Sequence, residues 1–328
     1  MRARHLLTSA LLFACVGMAA CQGSAEAGAS GSSASSDAKQ DIPFAESRKT
    51  FKTTINLGHL NPEPVEKPAT RELTVVKYAS PVGDLPAYLT PDPGDHQKHP
   101  AIIWITGGDC NTIGDVWSPQ SIDNDQSASA FRKAGIITMY PSLRGGNTNP
   151  GNTEGFFGEI DDVLAAADFL AKQPYVDPQR IYLGGHSTGG VLALLVAEAD
   201  GRFRTTFAFG ARSFGADSPT FFGNTNFKQL DPLEGLLRAP GAWLSFIKSP
   251  VFAIEGSEGN SEDLENMRKS SHNPKVSFVS VEGADHFSVL GPANELIAAK
   301  ILQDTGATPQ ISLSSSEIEA KVHEAAQH

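Results

Sequence analysis

Cysteine is scarce in this chain: Cys15, Cys21 and Cys110 are the three among 328 residues. The first two lie in an N-terminal segment with the character of an export signal. One cysteine is left for the folded part, which excludes an internal disulfide framework. Neither a CxxC nor an HExxH pattern occurs, so no metal cluster is suggested, and no cofactor is expected. Positive charge is also short, with 26 Lys and Arg against 37 Asp and Glu and a formal net charge of −11. Loss of residues 1–20 with Arg2 and Arg4 takes that charge from −11 to −13. An acidic chain of this kind argues against nucleic acid as a partner and against electrostatic binding to anionic lipid. No internal repeat is found. The apolar stretch Leu6 to Ala20 is too short to span a bilayer well.

What is present is a globular composition, 40% hydrophobic and 19% charged, with enough chain for one large domain or two small ones. The N-terminus reads as an address. Met1-Arg2-Ala3-Arg4-His5 is basic, Leu6 to Ala20 is apolar, and Gly17-Met18-Ala19-Ala20 places small residues before Cys21. This resembles a bacterial lipobox, with Met18 where Leu is usual. The resemblance implies cleavage before Cys21 and its lipidation, with plain secretory cleavage after Ala20 as the alternative. Either address implies the bacterial cell envelope: lipid-anchored, with Gln22 favouring the outer membrane, or periplasmic or secreted. Residues 21–40 form a Gly-, Ala- and Ser-rich linker. The expected organisation is a signal peptide over 1–20, the linker, a folded domain over 41–310, and a C-terminal helix or tail over 311–328 that is exposed or loosely docked.

Within the domain, residues 41–70 read as an irregular Pro-rich arm. Arg71–Tyr78 and Asp84–Thr90 read as a hairpin at an antiparallel edge. Beyond it, short apolar runs alternate with helical patterns. Strands are expected over 100–106, 135–140, 180–183, 205–210, 250–256 and 276–281, and helices over 127–133, 159–172, 191–198, 261–271 and 292–303. Such alternation predicts an α/β fold with a mostly parallel sheet covered on both faces. Residues 212–248 break it. They carry Phe214, Phe221, Phe222, Phe227 and Trp243 and read as a small cap insertion over the site, or as a connector whose aromatics pack on the sheet.

The most informative stretch is Gly184-Gly185-His186-Ser187-Thr188-Gly189-Gly190, between a β-prone run and the apolar helix pattern from Val191 to Glu198. It matches G-x-S-x-G in a strand-turn-helix context. A sharp turn there lifts the Ser187 hydroxyl clear of the sheet, and the Thr188 N–H at the helix start can face an oxyanion. A serine hydroxyl needs a base. Of nine histidines, His286 alone follows the last strand in a loop, Gly283-Ala284-Asp285-His286, placed to reach the turn. His186 stands on the wrong side of the chain to serve its neighbour. The imidazole needs a carboxylate between Ser187 and His286 in chain order. The loop after strand 250–256 offers Glu255, Glu258, Glu262 and Asp263, and Asp217 offers a second location. Glu258 lies nearest the expected turn position and is the expected acid. Gly107-Gly108 ends the strand 100–106, and Gly108 is expected to give the second oxyanion donor. Cys110 reads as a small buried residue.

These motifs, together with Arg144-Gly145, Glu159-Ile160-Asp161-Asp162 and Asp177-Pro178-Gln179-Arg180-Ile181, make residues 100–303 resemble the α/β-hydrolase superfamily. The resemblance is strongest to the dienelactone hydrolase and prolyl oligopeptidase catalytic-domain branch. It implies a serine hydrolase that cleaves carboxylic esters, less readily amides, through an acyl-enzyme on a small-molecule ester or short peptide. A peptidase on the same triad is one alternative. A non-catalytic envelope lipoprotein that keeps the fold for binding is another. Two positions depart from the family pattern. Thr106-Gly107-Gly108 stands where His-Gly-Gly is usual, and Gly259 stands where an Asp often follows three residues after the Gly that ends the acid strand.

Overall fold

The computed structural model describes residues 41–213 and 231–327. The expected signal peptide, Cys21, the linker, Asp217 and the first half of the expected cap lie outside the described residues. Eight strands form one sheet in the order β1-β2-β4-β3-β5-β6-β7-β8. They are β1 (Thr74–Ser80), β2 (Gly83–Leu89), β3 (His99–Ile105), β4 (Ile137–Pro141), β5 (Val176–His186), β6 (Thr206–Phe209), β7 (Val251–Gly256) and β8 (Val276–Val281). The β1–β2 hairpin is antiparallel, with Ser80 opposite Gly83, and β2 pairs antiparallel with β4. From β4 to β8 every pairing is parallel. This is the predicted α/β arrangement with its antiparallel edge.

The parallel strands are buried along their whole length where the sequence is continuously apolar, as in Ala101–Ile105 of β3. Strands covered on both faces need no polar alternation. One face is covered by α1 (Phe44–Thr50), α3 (Glu159–Leu170) and α4 (Thr188–Ala199), and the other by α2 (Ser129–Lys133), α7 (Leu290–Gln303) and α8 (Ser315–Ala325). The remaining helices are α5 (Pro232–Leu236) and α6 (Ser261–Ser270). Helix α4 is buried from Thr188 to Glu198, which fits a helix apolar on every side. Among the described residues no helix is long and apolar enough to cross a membrane.

One segment differs from expectation, and two others take one of the alternatives left open. The arm over 41–70 opens with the helix α1. Phe44 has no apolar periodicity around it, yet it enters the core against Trp243, with ring centroids 5.2 Å apart. A seven-residue helix is too short to be stable alone; this one is held by packing and by the Arg48–Asp161 ion pair at 3.0 Å. Trp243, whose segment read either as a cap or as a connector, is fully buried in that same cluster. The described half of the interruption, 231–248, is therefore a connector from β6 to β7. Helix α8 is docked through the buried Ile318 and starts in a Ser314/Glu317 capping box.

Glu198, in the last turn of α4, is 4% exposed, and neither carboxylate oxygen has a hydrogen-bond partner among the described residues. Burial raises its pKa well above the ordinary carboxylate value. A raised folded-state pKa gives stability that is complete below the unfolded value, about 4.3, and falls as pH rises toward the folded value. We therefore expect Glu198→Met to raise unfolding free energy by about 1–3 kcal/mol or more at pH 7. The gain should be smaller near pH 4, which urea unfolding at the two pH values checks.

Candidate active site

Four strand ends converge at the carboxyl edge of the sheet, where parallel sheets place their ligands. Ser187 follows β5 directly and adopts φ 56°, ψ −116°. Positive φ is costly for a non-glycine residue, so the neighbours must hold it there. They do so through backbone. The Ser187 N–H donates to the Phe209 carbonyl at 2.8 Å, and its carbonyl accepts from Val191 N–H at 3.0 Å. The glycines after Ser187 permit close packing. A Cβ on Gly189 would lie 2.2 Å from the Ile105 carbonyl oxygen, and one on Gly190 2.3 Å from that of Phe209. The first turn of α4 is thereby seated between the ends of β3 and β6. Thr188 opens that helix, and its N–H has no acceptor within the helix.

The loop after β3 passes over this turn. Gly107 is the residue that touches it, since a Cβ there would be 3.4 Å from Ser187 Cβ. The next peptide carries the Gly108 N–H, and Gly108 has φ +79°. Two anchors fix this loop. The Asp109 carboxylate accepts from the N–H groups of Asn111 and Thr112, from Thr112 Oγ1 and from Asn61 Nδ2, at 2.6–3.0 Å. Asn111 donates through Nδ2 to the Arg144 carbonyl at 2.7 Å and to Glu159 Oε1 at 3.1 Å. Arg144 in turn binds Asp162 through Nε at 2.8 Å and Nη2 at 2.9 Å, and Glu154 at 3.0 Å. Cys110 is buried, and burial raises its thiol pKa.

His286 sits in the loop after β8. Its Nδ1 is 3.0 Å from Glu255 Oε2. The Glu255 side chain is 2% exposed and that of His286 is 19% exposed, so the bond is largely shielded from water. Glu255 therefore occupies the acid position that Glu258 was expected to fill. The side chain of Glu258 is exposed, and its backbone N–H donates to the Ala284 carbonyl at 3.0 Å. Glu262 is exposed on α6. Asp263 accepts from Ser213 N–H, Ser213 Oγ and Arg212 Nε. The reason is the geometry of the strand end. Glu255 is the penultimate residue of β7, so its side chain starts within the sheet and points back under the histidine loop. Gly259 makes room for it: a Cβ there would be 2.5 Å from Glu255 Oε1. The carboxylate fills the space that a side chain at position 259 would take. Gly210 does the same for the base, since its Cβ would stand 2.2 Å from His286 Cε1 and 2.6 Å from Nδ1.

Glu255 was one of several acids in the sequence, and a carboxylate closing the apolar run Val251-Phe252-Ala253-Ile254 was the available signal for it. Gly210 carried no signal of its own, and Gly259 stood out only as a departure from the family pattern. Among the described residues no group of three or more His, Cys, Asp or Glu side chains is placed to hold a metal ion. Ser187, Thr188, Gly107-Gly108, His286 and Glu255 together offer a hydroxyl on a strained turn, amide donors beside it and a carboxylate-bound imidazole. That arrangement is suited to acyl transfer. We expect Gly259→Ala to break the Glu255–His286 bond and to destabilise the protein by about 1–3 kcal/mol. A crystal structure of the variant, with an Nδ1–Oε2 separation beyond hydrogen-bonding range, together with its melting curve, checks this.

Comparison with known proteins agrees with the fold. The model of the prolyl oligopeptidase family, Peptidase_S9, matches residues 123–211, a stretch that includes Ser187 and stops before Glu255 and His286. Dipeptidyl-peptidase 5 of Porphyromonas gingivalis is 32% identical over 127 residues, covering 37% of this chain and 18% of that protein. The uncharacterized peptidase YtmA of Bacillus subtilis is 25% identical over 205 residues, 57% of this chain and 76% of that one. Among solved structures, a puromycin-hydrolyzing peptidase of Mycobacterium tuberculosis superposes with a TM-score of 0.59 at 18% identity, over 74% of this chain and 41% of that one. A hyperthermophilic esterase from Pyrobaculum calidifontis gives 0.52 at 18% identity, over 74% and 87%. The chain thus spans less than half of the first peptidase structure and under a fifth of the dipeptidyl-peptidase. It has the α/β-hydrolase fold, and its segment 123–211 matches the model of the prolyl oligopeptidase family, Peptidase_S9.

Proposed function

We propose that the protein is a serine hydrolase that cleaves a carboxylic ester or peptide bond through an acyl-enzyme. The observation that carries this reading is the shielded 3.0 Å bond between Glu255 and His286, beside a serine held at positive φ on a strand-to-helix turn. His286 donates its Nδ1 proton to Glu255, which leaves Nε2 as the base. Ser187 Oγ loses its proton to Nε2 and attacks the carbonyl carbon. The N–H groups of Thr188 and Gly108 receive the oxyanion. The imidazolium, held by Glu255, returns the proton to the leaving group, and water repeats the cycle on the acyl-enzyme. The family match over 123–211 favours peptide amides. An esterase among the neighbours of the fold keeps esters as the parallel class.

Labelling of the purified protein with a fluorophosphonate probe tests the reading. Labelling at Ser187 is expected, and is lost in Ser187→Ala. Glu255→Gln should slow it by about 10⁴-fold, as when a triad acid loses its charge, while Glu258→Gln stays within about twofold, as an exposed surface change should. A folded wild-type protein that does not label would overturn the reading in favour of a binding module. Initial rates on p-nitrophenyl esters and on dipeptidyl arylamides then separate the two substrate classes. We further propose that Cys21 is lipidated, a reading supported by the small residues before it and the linker after it. Incorporation of labelled palmitate that disappears in Cys21→Ala is the expected result.

A further inference from the structure

His186 precedes the nucleophile, yet serine chemistry gives it no direct task. It is 1% exposed. Its Nε2 lies 3.0 Å from the backbone carbonyl oxygen of His286. A carbonyl only accepts, so Nε2 carries the proton and Nδ1 is bare. Among the described residues that Nδ1 has no hydrogen-bond partner. It faces the oxyanion loop at Gly107, where a Cβ would come within 3.2 Å of it. The two imidazole rings are 4.5 Å apart between centroids and inclined at 42°, and the Phe287 ring stands edge-on to both, 5.5 Å from His186 and 5.1 Å from His286.

We propose that His186 is a positioning residue: its Nε2–H ties the backbone of the base loop to the end of the nucleophile strand, so that the His286 ring keeps one position relative to Ser187. The inference rests on the serine-hydrolase reading above and goes a step past it. His286 is held through its side chain by Glu255, and its loop is braced on either side, where the Ala284 carbonyl accepts from Glu258 N–H and the Asp285 carboxylate from the N–H groups of Phe287 and Ser288. The bond from His186 is the one made to the backbone of His286 itself, and it keeps the ring from swinging about the Nδ1–Oε2 bond. The residue next to Ser187 is the best origin for that tie, because nucleophile and base then share one rigid reference, the end of β5. Chemistry also suits the choice. Burial, with His286 beside it, pushes the His186 imidazole down to about 3, so the donor stays neutral across the working pH range. No second positive charge then stands beside His286 when it takes up the serine proton.

The test compares His186→Ala with His186→Gln in the full chain, since a glutamine Nε2–H can reach the same carbonyl. Fluorophosphonate labelling rate and kcat are expected to fall by about 10–100-fold in His186→Ala, as for small misplacements of a catalytic group. KM should stay within about threefold, the signature of a lost transition-state interaction. His186→Gln should recover most of the rate. The low-field proton signal of His286 Nδ1–H gives a readout that needs no turnover: present in wild type, broadened away in His186→Ala, kept in His186→Gln. A His186→Ala protein that labels at the wild-type rate or keeps a sharp signal overturns the proposal, and so does a His186→Gln protein as impaired as His186→Ala. If His186→Ala does not fold, the glutamine variant decides by the same criteria. A wild type that shows the signal but never labels sinks the serine-hydrolase reading instead, and the signal of the variants still judges the tie.

Discussion

The Glu255 carboxylate and the His286 imidazole meet in a gap between the ends of neighbouring strands, and much of the site serves to keep that gap the right width. A carboxylate placed so deep would be costly if unpaired. Here Oε2 takes the histidine proton, and Oε1 accepts from the Gly256 N–H at 2.8 Å. Both oxygens are therefore occupied without a water molecule. The glycines at 210 and 259 are the other half of the arrangement. Each stands where a Cβ would strike the imidazole or the carboxylate, so neither can be changed without moving the pair.

The loops around the site are held by polar networks, since loops cannot bury enough apolar surface to hold themselves. The Arg144–Asp162 fork, with Asn111 and Glu159 behind it, fixes the segment after β4 and through it the oxyanion loop. Glu159 is buried, and desolvation raises its pKa. The N-terminal arm belongs to this scaffold too. Its Leu60 bridges to Gly146, and Asn61 reaches Asp109. Nearer its start, Thr53 and Thr54 bind Glu234, which pairs with Arg238 at 2.7 Å. The arm thus links the oxyanion loop to the connector after β6.

Most strands and the main helices were legible because buried parallel strands are short uniform apolar runs, and because glycine, proline and charge mark their ends. Helix α1 was not legible, since its run is short and mostly polar and the core partner of Phe44, Trp243, lies far along the chain. The cap and connector readings of Trp243 stayed open for the same reason. An aromatic in an irregular segment looks alike whether it caps a site or fills a core, and only the packing of Phe44 against it separates the two.

The sequence by itself determined the alternation that makes a doubly covered parallel sheet, the strand-turn-helix at Ser187 and the single histidine in a loop at the right end of the sheet. These are local patterns, set by periodicity and by turn chemistry. Which acid faces that histidine was decided only by tertiary structure. Glu255 and Glu258 differ by three residues in the chain, but one closes a buried strand and the other lies on an exposed turn. The tie from His186 to His286 joins residues one hundred positions apart, and no local rule carries that information. A side chain's reach depends on which strands are neighbours, and neighbours are chosen by the fold.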